Sequence, residues 1–251
     1  MGSQYLQIAQ QIGIKPNFWM SEEYFEKAGW VETERNGVIY IKDEDCFLML
    51  PPIQIIPAQL IRRECWTDVE GYESKGPKFL DYEYLFKAAN FQNMVGGSWT
   101  VFRKNSRKWP NRIGQGYVYR SITETDVELA DVVISWLKQL GDEAIIYDQE
   151  VLIKYLRDGK NRKGLFTEDG KLRAINIWDE NWLYTNYRYC ICRPEPFLSE
   201  FARLLFYQDM YEQNSECIVN DGGVLDRISL KKFKDHMNPI SVRKVYSWEG
   251  M

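Results

Sequence analysis

The stretch KGLFTEDGKLRAINIWDENWLYTNYRYCICR, Lys163–Arg193, has the pattern of three consecutive β-strands. Asp169-Gly170 is a typical hairpin turn between the first two, and β-branched and aromatic residues fill the segments on either side. The chain after it predicts, in order, a long helix with one apolar face, a short strand, a helix and a closing strand: 195–214, 217–220, 229–238 and 242–248. This order predicts an α/β (α+β) fold.

The chain before this stretch alternates helical and strand patterns less regularly. Asn36-Gly37 predicts a hairpin, and a strand at Cys46–Leu50 ends at Pro51-Pro52. The polar residues 66–77 predict a loop. Helices are predicted at 3–13, 21–29, 81–94, 98–110, 124–141 and 148–159, with a strand at 116–123. Residues 121–126 are the predicted border between two halves.

Composition excludes several classes of protein. The chain has 251 residues, 45% of them apolar, which suffices for a sizeable core. It has no apolar run of about 18 residues, so we expect no membrane span and a soluble, cytoplasmic protein. His236 is the only histidine, which leaves little for a zinc site or a Ser-His-Asp triad. The five cysteines, interpreted as reduced thiols, predict no metal site: Cys46, Cys65, Cys190, Cys192 and Cys217.

A cation cluster interrupts an acidic chain. The formal net charge is −4, yet the segment FRKNSRKWPNR, Phe102–Arg112, contains five cations and no acid. Like charges four residues apart destabilise a helix, so an anionic ligand such as a nucleotide, a nucleic-acid backbone or a lipid head group would offset them. The alternative is a solvated face balanced by acids at 123–128 or 178–181. The predicted phosphate-binding residues are Arg103, Lys104, Arg107, Lys108 and Arg112.

The segment IVNDGG, Ile218–Gly223, places polar side chains at the carboxyl end of a short strand. Ligands often bind at that end of strands in open α/β sheets, and glycine permits close approach of the backbone. The alternative is an ordinary turn in which Asp221 binds nearby amides. The neighbouring aromatic strands add polar residues that could line a cleft or serve only in packing: Asn176, Trp178, Asn186, Tyr187 and Arg188.

Three segments resemble soluble proteins related to the C-terminal domain of phosphatidylglycerol lysyltransferases, within the GNAT superfamily. These are GVIYIKDEDCFLMLPP, GGSWTVFRKNSRKW and VNDGGVLDRISLKKFKDHMNPISVRKVY. The resemblance covers about residues 20–248. It implies two tandem GNAT-like halves, 1–120 and 121–251, each a mixed, mostly antiparallel sheet flanked by helices, with the cation cluster at their junction.

The same resemblance implies an aminoacyltransferase. Its donor would be aminoacyl-tRNA, held by the cation cluster, and no tightly bound cofactor is expected. The chain departs from acyl-CoA-dependent GNAT enzymes at CRPEPFLSE, 192–200, because two prolines remove amide donors and Glu195 opposes an anion. Acyl-CoA is therefore the less favoured donor.

Chemical roles follow from this resemblance. Asp221 is the predicted base or acceptor-orienting group, and Asn220, Asn176 and Tyr187 polarise or position the ester. The remaining predicted substrate-binding residues are Trp178, Asn186, Gly222 and Gly223. Two alternatives stay open: a GNAT-like enzyme that modifies a nucleic-acid base, and a non-catalytic module that binds nucleic acid or another anionic partner. The sequence carries no signal of an oligomeric state.

Overall fold

The structure is a computed structural model that describes residues 2–35, 37–44, 48–50, 74–114, 116–123, 129–140, 148–225 and 227–250. The predicted hairpin residue Asn36, the prolines 51–52 and residues 66–73 of the loop predicted at 66–77 lie outside these ranges. The rest of that loop prediction is wrong, because residues 74–77 begin a long strand, Ser74–Lys87, that pairs within a sheet. The helices are α1 Gln4–Gln11, α2 Glu22–Ala28, α3 Asn90–Asn93, α4 Thr100–Ser106, α5 Lys108–Ile113, α6 Leu129–Leu140, α7 Gln149–Asp158, α8 Leu198–Gln213 and α9 Ile228–Asp235.

The strands are β1 Val31–Arg35, β2 Val38–Lys42, β3 Leu48–Leu50, β4 Ser74–Lys87, β5 Tyr117–Ser121, β6 Asn161–Thr167, β7 Leu172–Glu180, β8 Thr185–Cys192, β9 Ile218–Asn220 and β10 Ser241–Gly250. In the described part of the chain, β1–β3 form a small antiparallel sheet. The others form a seven-stranded sheet in the order β10-β4-β9-β8-β7-β6-β5, in which only β8 and β9 run parallel. The predicted fold class, a mixed α/β fold with a mostly antiparallel sheet flanked by helices, is confirmed.

The two halves predicted at 1–120 and 121–251 share the large sheet. β4 lies wholly before residue 121, and β5 spans the predicted boundary, yet both join strands from the second half. Among the described residues, β1–β3 form the one sheet that consists of strands from the first half alone. The assignment of two tandem halves stays a prediction.

Local sequence determines the first two helices. Ser3 and Ser21 have extended backbones, and each side chain accepts a hydrogen bond from the amide three residues later. This is the capping geometry that satisfies an otherwise unbonded first-turn amide. Gly29 ends α2 in the left-handed region, φ 71°, where glycine avoids the Cβ penalty. Both predicted helices are confirmed.

The helix predicted at 81–94 is wrong. Residues up to Lys87 belong to β4, and only the short α3 follows. β4 lies between β10 and β9, so both of its edges are paired. The consecutive residues Tyr84, Leu85 and Phe86 are all buried, so both of its faces are covered as well. A strand buried on both faces shows no alternation of apolar and polar residues, which is why its pattern was mistaken for a helix.

The helix predicted at 98–110 is correct only in part. A 3-10 turn at Gly97–Trp99 leads into α4, the helix breaks at Arg107, and α5 continues to Ile113. Pro110 therefore does not end the helix. It lies in the first turn of α5, where a backbone N–H has no intrahelical acceptor to lose.

The large sheet separates apolar clusters on its two faces. Ile175, Ile177 and Tyr189 point towards α6 and α7, whereas Trp178 and Tyr187 pack beneath α8. Because side chains along a strand alternate between the two faces of the sheet, the polar residues of β7 and β8 lie on both faces. No helix within the described ranges is long and apolar enough to cross a membrane.

Candidate functional site

The candidate site lies where β8 and β9 diverge. The two parallel strands pair only at Thr185–Val219 and Asn186–Asn220. β8 then continues to Cys192, whereas the backbone that follows β9 turns away through Asp221, Gly222 and Gly223. We call residues 220–223 the Asn-Asp turn. Their position at the carboxyl end of a strand is the one that the sequence indicated.

Asp221 lies inside a network of charges. Its side chain is 2% exposed, and one oxygen accepts from the Arg203 guanidinium and from the Tyr207 hydroxyl at 2.8 Å. The other oxygen lies 3.1 Å from Lys234 Nζ. Burial raises the pKa of the Asp221 carboxyl, but Arg203 and Lys234 overcome this effect and hold the pKa below its ordinary value. These contacts favour a positioning role for Asp221, because a good base at neutral pH needs a higher pKa.

Lys234 binds the backbone of the same turn. Its ammonium group donates to the carbonyl oxygens of Asp221, of Gly222 at 3.2 Å and of Gly223 at 2.8 Å. Burial lowers the pKa of Lys234, and Asp221 opposes that change. Lys234 therefore joins α9 to the Asn-Asp turn.

Two buried acids of β4 hold the turn from the opposite side. Asp81 accepts from the Val224 amide at 2.9 Å and the Leu225 amide at 2.9 Å. Glu83 accepts from the Asn220 side chain at 3.2 Å and from Arg243. The Asn220 side chain in turn accepts from the Gly222 amide at 3.0 Å. The predicted residue Asn220, at 0% exposure, is therefore part of the framework of the turn.

The two glycines of the turn are required by close contacts. Gly222 has φ 64°, and a Cβ there would lie 3.2 Å from the Phe18 ring. A Cβ on Gly223 would lie 2.0 Å from an Asp81 carboxylate oxygen. Glycine is therefore needed because the backbone approaches its neighbours closely.

Asn176 and Tyr187 share a hydrogen-bond chain beneath α8. The Tyr187 hydroxyl donates to Asn176, which donates to the Ala202 carbonyl at 2.9 Å and to the Tyr119 hydroxyl at 3.0 Å. Burial raises the pKa of Tyr187 far above its ordinary value, so its hydroxyl stays protonated. Arg203 lies over the Tyr187 ring, with Cζ 4.9 Å from the ring centroid, and links this chain to Asp221.

Trp178 and Asn186 lie apart from that chain. Trp178 is buried, and its ring centroid lies 5.5 Å from the ring centroid of Phe206. Asn186 points to the other face of the sheet and donates to Asp179 at 2.9 Å. Asp179 forms a fully buried ion pair with Arg188 at 2.5 Å. The structure therefore brings Asn176, Tyr187 and the Asn-Asp turn together and separates the side chains of Trp178 and Asn186 from them.

The five cations of the cluster do not act alike. Arg103 donates to the Met94 carbonyl at 2.7 Å, Lys108 lies 3.9 Å from the Phe197 ring centroid, and Arg112 lies 3.5 Å from Glu195. Lys104 and Arg107 are exposed and have no ion-pair partner among the described residues. Of the five cations, Lys104 and Arg107 are therefore the most available to bind an anion.

The cation cluster is linked to the Asn-Asp turn through the side chains of intervening residues. Phe102 of α4 packs 6.3 Å from Phe233 of α9 between ring centroids. Phe233 in turn lies 5.3 Å from the Arg203 guanidinium, which binds Asp221. The cations closest to the turn are therefore Arg203 and Lys234, neither of which was predicted from the sequence. A cation among the apolar residues of FARLLFYQDM was the available signal.

Glu195 precedes α8 and gathers donors around its carboxylate. It accepts from Trp109 Nε1 at 2.8 Å and from Arg173 Nη1 at 3.0 Å. Arg193 lies 3.5 Å away. The Glu195 carboxylate therefore lies just before α8, as predicted from the sequence, where it would oppose the binding of a phosphate group.

Cys190 and Cys192 lie on one face of β8, with their sulfur atoms 3.8 Å apart. The hydrogen bond between the two thiols lowers the pKa of Cys190 to about 7 against the effect of burial, and Arg203 acts in the same direction. The pKa of Cys192 is raised by the same contact. The described residues contain no group of three or more histidine, cysteine or acidic residues that could hold a metal ion.

Solved structures of other proteins have a similar fold. The chain is similar to the C-terminal DUF2156 domain of a candidate lysylphosphatidylglycerol synthetase from Agrobacterium fabrum. The TM-score is 0.56 at 13% identity, over 97% of this chain and 90% of the other. The two chains share a fold.

A conserved protein of unknown function from Bacteroides thetaiotaomicron VPI-5482 is also similar, with a TM-score of 0.58 at 17% identity. That match covers 68% of this chain, and it spans 60% of the Bacteroides protein. No protein-family model matches the sequence, and no curated protein matches it. The mixed α/β fold of these neighbours is the type that the sequence resemblance implied.

Proposed function

We propose that the protein is a transferase of GNAT-like fold that moves an acyl or aminoacyl group from a phosphate-bearing donor to an amine or hydroxyl acceptor. The observation that carries this proposal is the fold shared with the Agrobacterium domain over 97% of the chain. In the reaction, the acceptor attacks the ester carbonyl of the donor. A bond forms between the acceptor nitrogen or oxygen and the carbonyl carbon, the ester C–O bond breaks, and the acceptor proton passes to the leaving oxygen, which becomes a hydroxyl group.

Aminoacyl-tRNA is the favoured donor. Glu195 and its bound Trp109 and Arg173 disfavour a pyrophosphate at the start of α8. Exposed Lys104 of α4 and exposed Arg107 between α4 and α5 suit a long polyanion that reaches the site across the surface.

The contacts suggest roles for the residues of the site. Arg203 is the candidate to stabilise the developing oxyanion, because its side chain is 13% exposed whereas Asp221 and Lys234 are deeper. Asp221 positions Arg203, and protonated Tyr187 is a hydrogen-bond donor in the same cluster.

The proposal is tested by transfer of a labelled aminoacyl group from aminoacyl-tRNA to small amines, compared with transfer from acyl-CoA. The double variant Lys104→Gln/Arg107→Gln is expected to weaken tRNA binding. Its slope of log affinity against log salt should fall by about 1 to 2. A matched control, Lys138→Gln/Lys154→Gln, removes two exposed lysines of α6 and α7 and should leave the slope unchanged. Equal losses in both double variants would contradict a specific polyanion surface.

One observation favours a second function, a non-catalytic module that binds an anionic partner. Asn220, Asp221 and Tyr187 are at most 5% exposed, and their polar atoms contact one another or nearby residues. Binding of tRNA without turnover of any donor would support the module. Turnover that is lost in Arg203→Met, with tRNA binding retained, would support the enzyme.

A further inference from the structure

A cavity lies away from the Asn-Asp turn. It has a volume of about 360 Å³ and opens between α1, the start of α2 and the loop that joins β7 to β8. This volume lies in the range of small-molecule sites. Its walls include Leu6, Gln7, Glu22, Glu23, Glu180 and Trp182.

The cavity is acidic. Glu22, Glu23 and Glu180 contribute carboxylates, and Lys160 is the cation among the residues that line it. Glu22 also accepts from the Ser3 amide at 3.0 Å. The side chains therefore leave an excess of negative charge around the space, which favours a positively charged ligand.

Glu23 differs from three other buried acids, Glu83, Asp179 and Asp221. It is 7% exposed, and one of its oxygens accepts from the Lys160 amide at 2.8 Å. The other oxygen has no hydrogen-bond or ion-pair partner among the residues that the structure describes. Burial raises the pKa of Glu23, and the Lys160 amide only partly offsets this.

These three buried carboxylates have the ion-pair partner that Glu23 lacks among the described residues. Asp179 contacts Arg188, and Glu83 contacts Arg243. Asp221 contacts both Arg203 and Lys234. Buried charges in proteins are usually paired in this way because an unpaired buried charge is costly. Glu23 faces the cavity instead, so a cationic ligand there would supply the missing partner.

The apolar walls define the rest of the ligand. Leu6 is buried, and Trp182 is half-buried and packs against the core beside the cavity. A tryptophan ring attracts a cation over its face and also covers an aliphatic chain. The amide side chain of Gln7 adds an acceptor for N–H groups.

We propose that this cavity binds an aliphatic amine, in which a primary ammonium group contacts Glu23 and the carbon chain lies against Trp182 and Leu6. A primary ammonium fits because it has three N–H donors for carboxylate and amide oxygens. The proposal is independent of the proposed transfer reaction.

Isothermal titration calorimetry on the full chain tests the proposal, with 1,5-diaminopentane as the probe and 1,5-pentanediol as its neutral counterpart. The diamine should bind and the diol should not. Glu23→Gln should weaken diamine binding roughly ten- to a hundredfold, the range for losing a charge-assisted hydrogen bond. Glu212→Gln, an exposed acid at the far end of α8, should bind like the parent protein.

Circular dichroism checks that Glu23→Gln is folded. If that variant does not fold, Glu180→Gln replaces it, since Glu180 is exposed, and it should weaken binding several-fold. Absence of diamine binding, equal binding of the diol, or undiminished binding in a folded cavity variant would each overturn the proposal.

Discussion

Replacing Asp221 by asparagine removes one negative charge from between Arg203 and Lys234. The carboxylate accepts from Arg203, from Tyr207 at 2.8 Å and contacts Lys234 at 3.1 Å. Asparagine keeps the size of the side chain, but it presents one acceptor and turns an N–H₂ group towards a cation. Both cations then stay buried without their counter-charge.

The expected loss of stability is large. Removing one partner of a buried ion pair costs about 3–5 kcal/mol, out of a total of roughly 5–15 kcal/mol for a folded protein. For a chain of this length the midpoint of thermal unfolding should fall by about 6–20 °C. Urea unfolding followed by far-UV circular dichroism measures the free energy directly. Asp131→Asn, which makes the same change on the exposed surface of α6, should cost less than about 1 kcal/mol.

Two further measurements separate charge from packing. Adding Lys234→Met to Asp221→Asn should cost less than the sum of the single changes, with a coupling of about 1–3 kcal/mol. The pKa of Asp221 is lowered on folding, so its contribution is present above the unfolded value of about 3.9 and is lost as pH falls through the folded one. The difference between Asp221→Asn and the parent should therefore shrink below about pH 4. A loss under about 1 kcal/mol at neutral pH, or strict additivity with Lys234→Met, would refute this reasoning.

Two other predictions concern the strands around the site. The rate of alkylation of Cys190 by iodoacetamide should rise with pH around a midpoint near 7. Cys192→Ser replaces the sulfur partner by a hydroxyl and should move that midpoint towards the ordinary thiol pKa of about 8.5. A midpoint that this variant does not change would contradict an effect of Cys192 on Cys190. Gly223→Ala should destabilise the protein by about 1–3 kcal/mol in urea unfolding because its Cβ would meet Asp81 at 2.0 Å, whereas Gly97→Ala has no atom within 4 Å and should cost less than 1 kcal/mol. Equal effects of the two alanine variants would show that the close approach does not matter.

Sequence alone predicted the second half of the fold well. The three strands 163–193 and the helix 195–214 appear as β6, β7, β8 and α8. These elements have strong local signals, such as the Asp169-Gly170 turn and a regular apolar pattern. β4 was missed because a strand with two buried faces has no such pattern.

The candidate site was predicted only in outline. The Asn-Asp turn carries its own composition signal, so its position at the end of a strand could be inferred. Arg203 and Lys234 could not be assigned to it, because their contact with Asp221 joins residues of three different elements. The same holds for Asp81, which reaches the loop at 224–225 from a strand more than a hundred positions earlier.

The place of β4 in the sheet has a consequence for synthesis on the ribosome. Both of its neighbours, β9 and β10, follow it by more than a hundred residues. While the chain emerges, β4 therefore exposes two unpaired edges, which favour aggregation. Any fragment that ends before residue 218 would keep those edges open, so this sheet can be completed only after β9 and β10 have been synthesised.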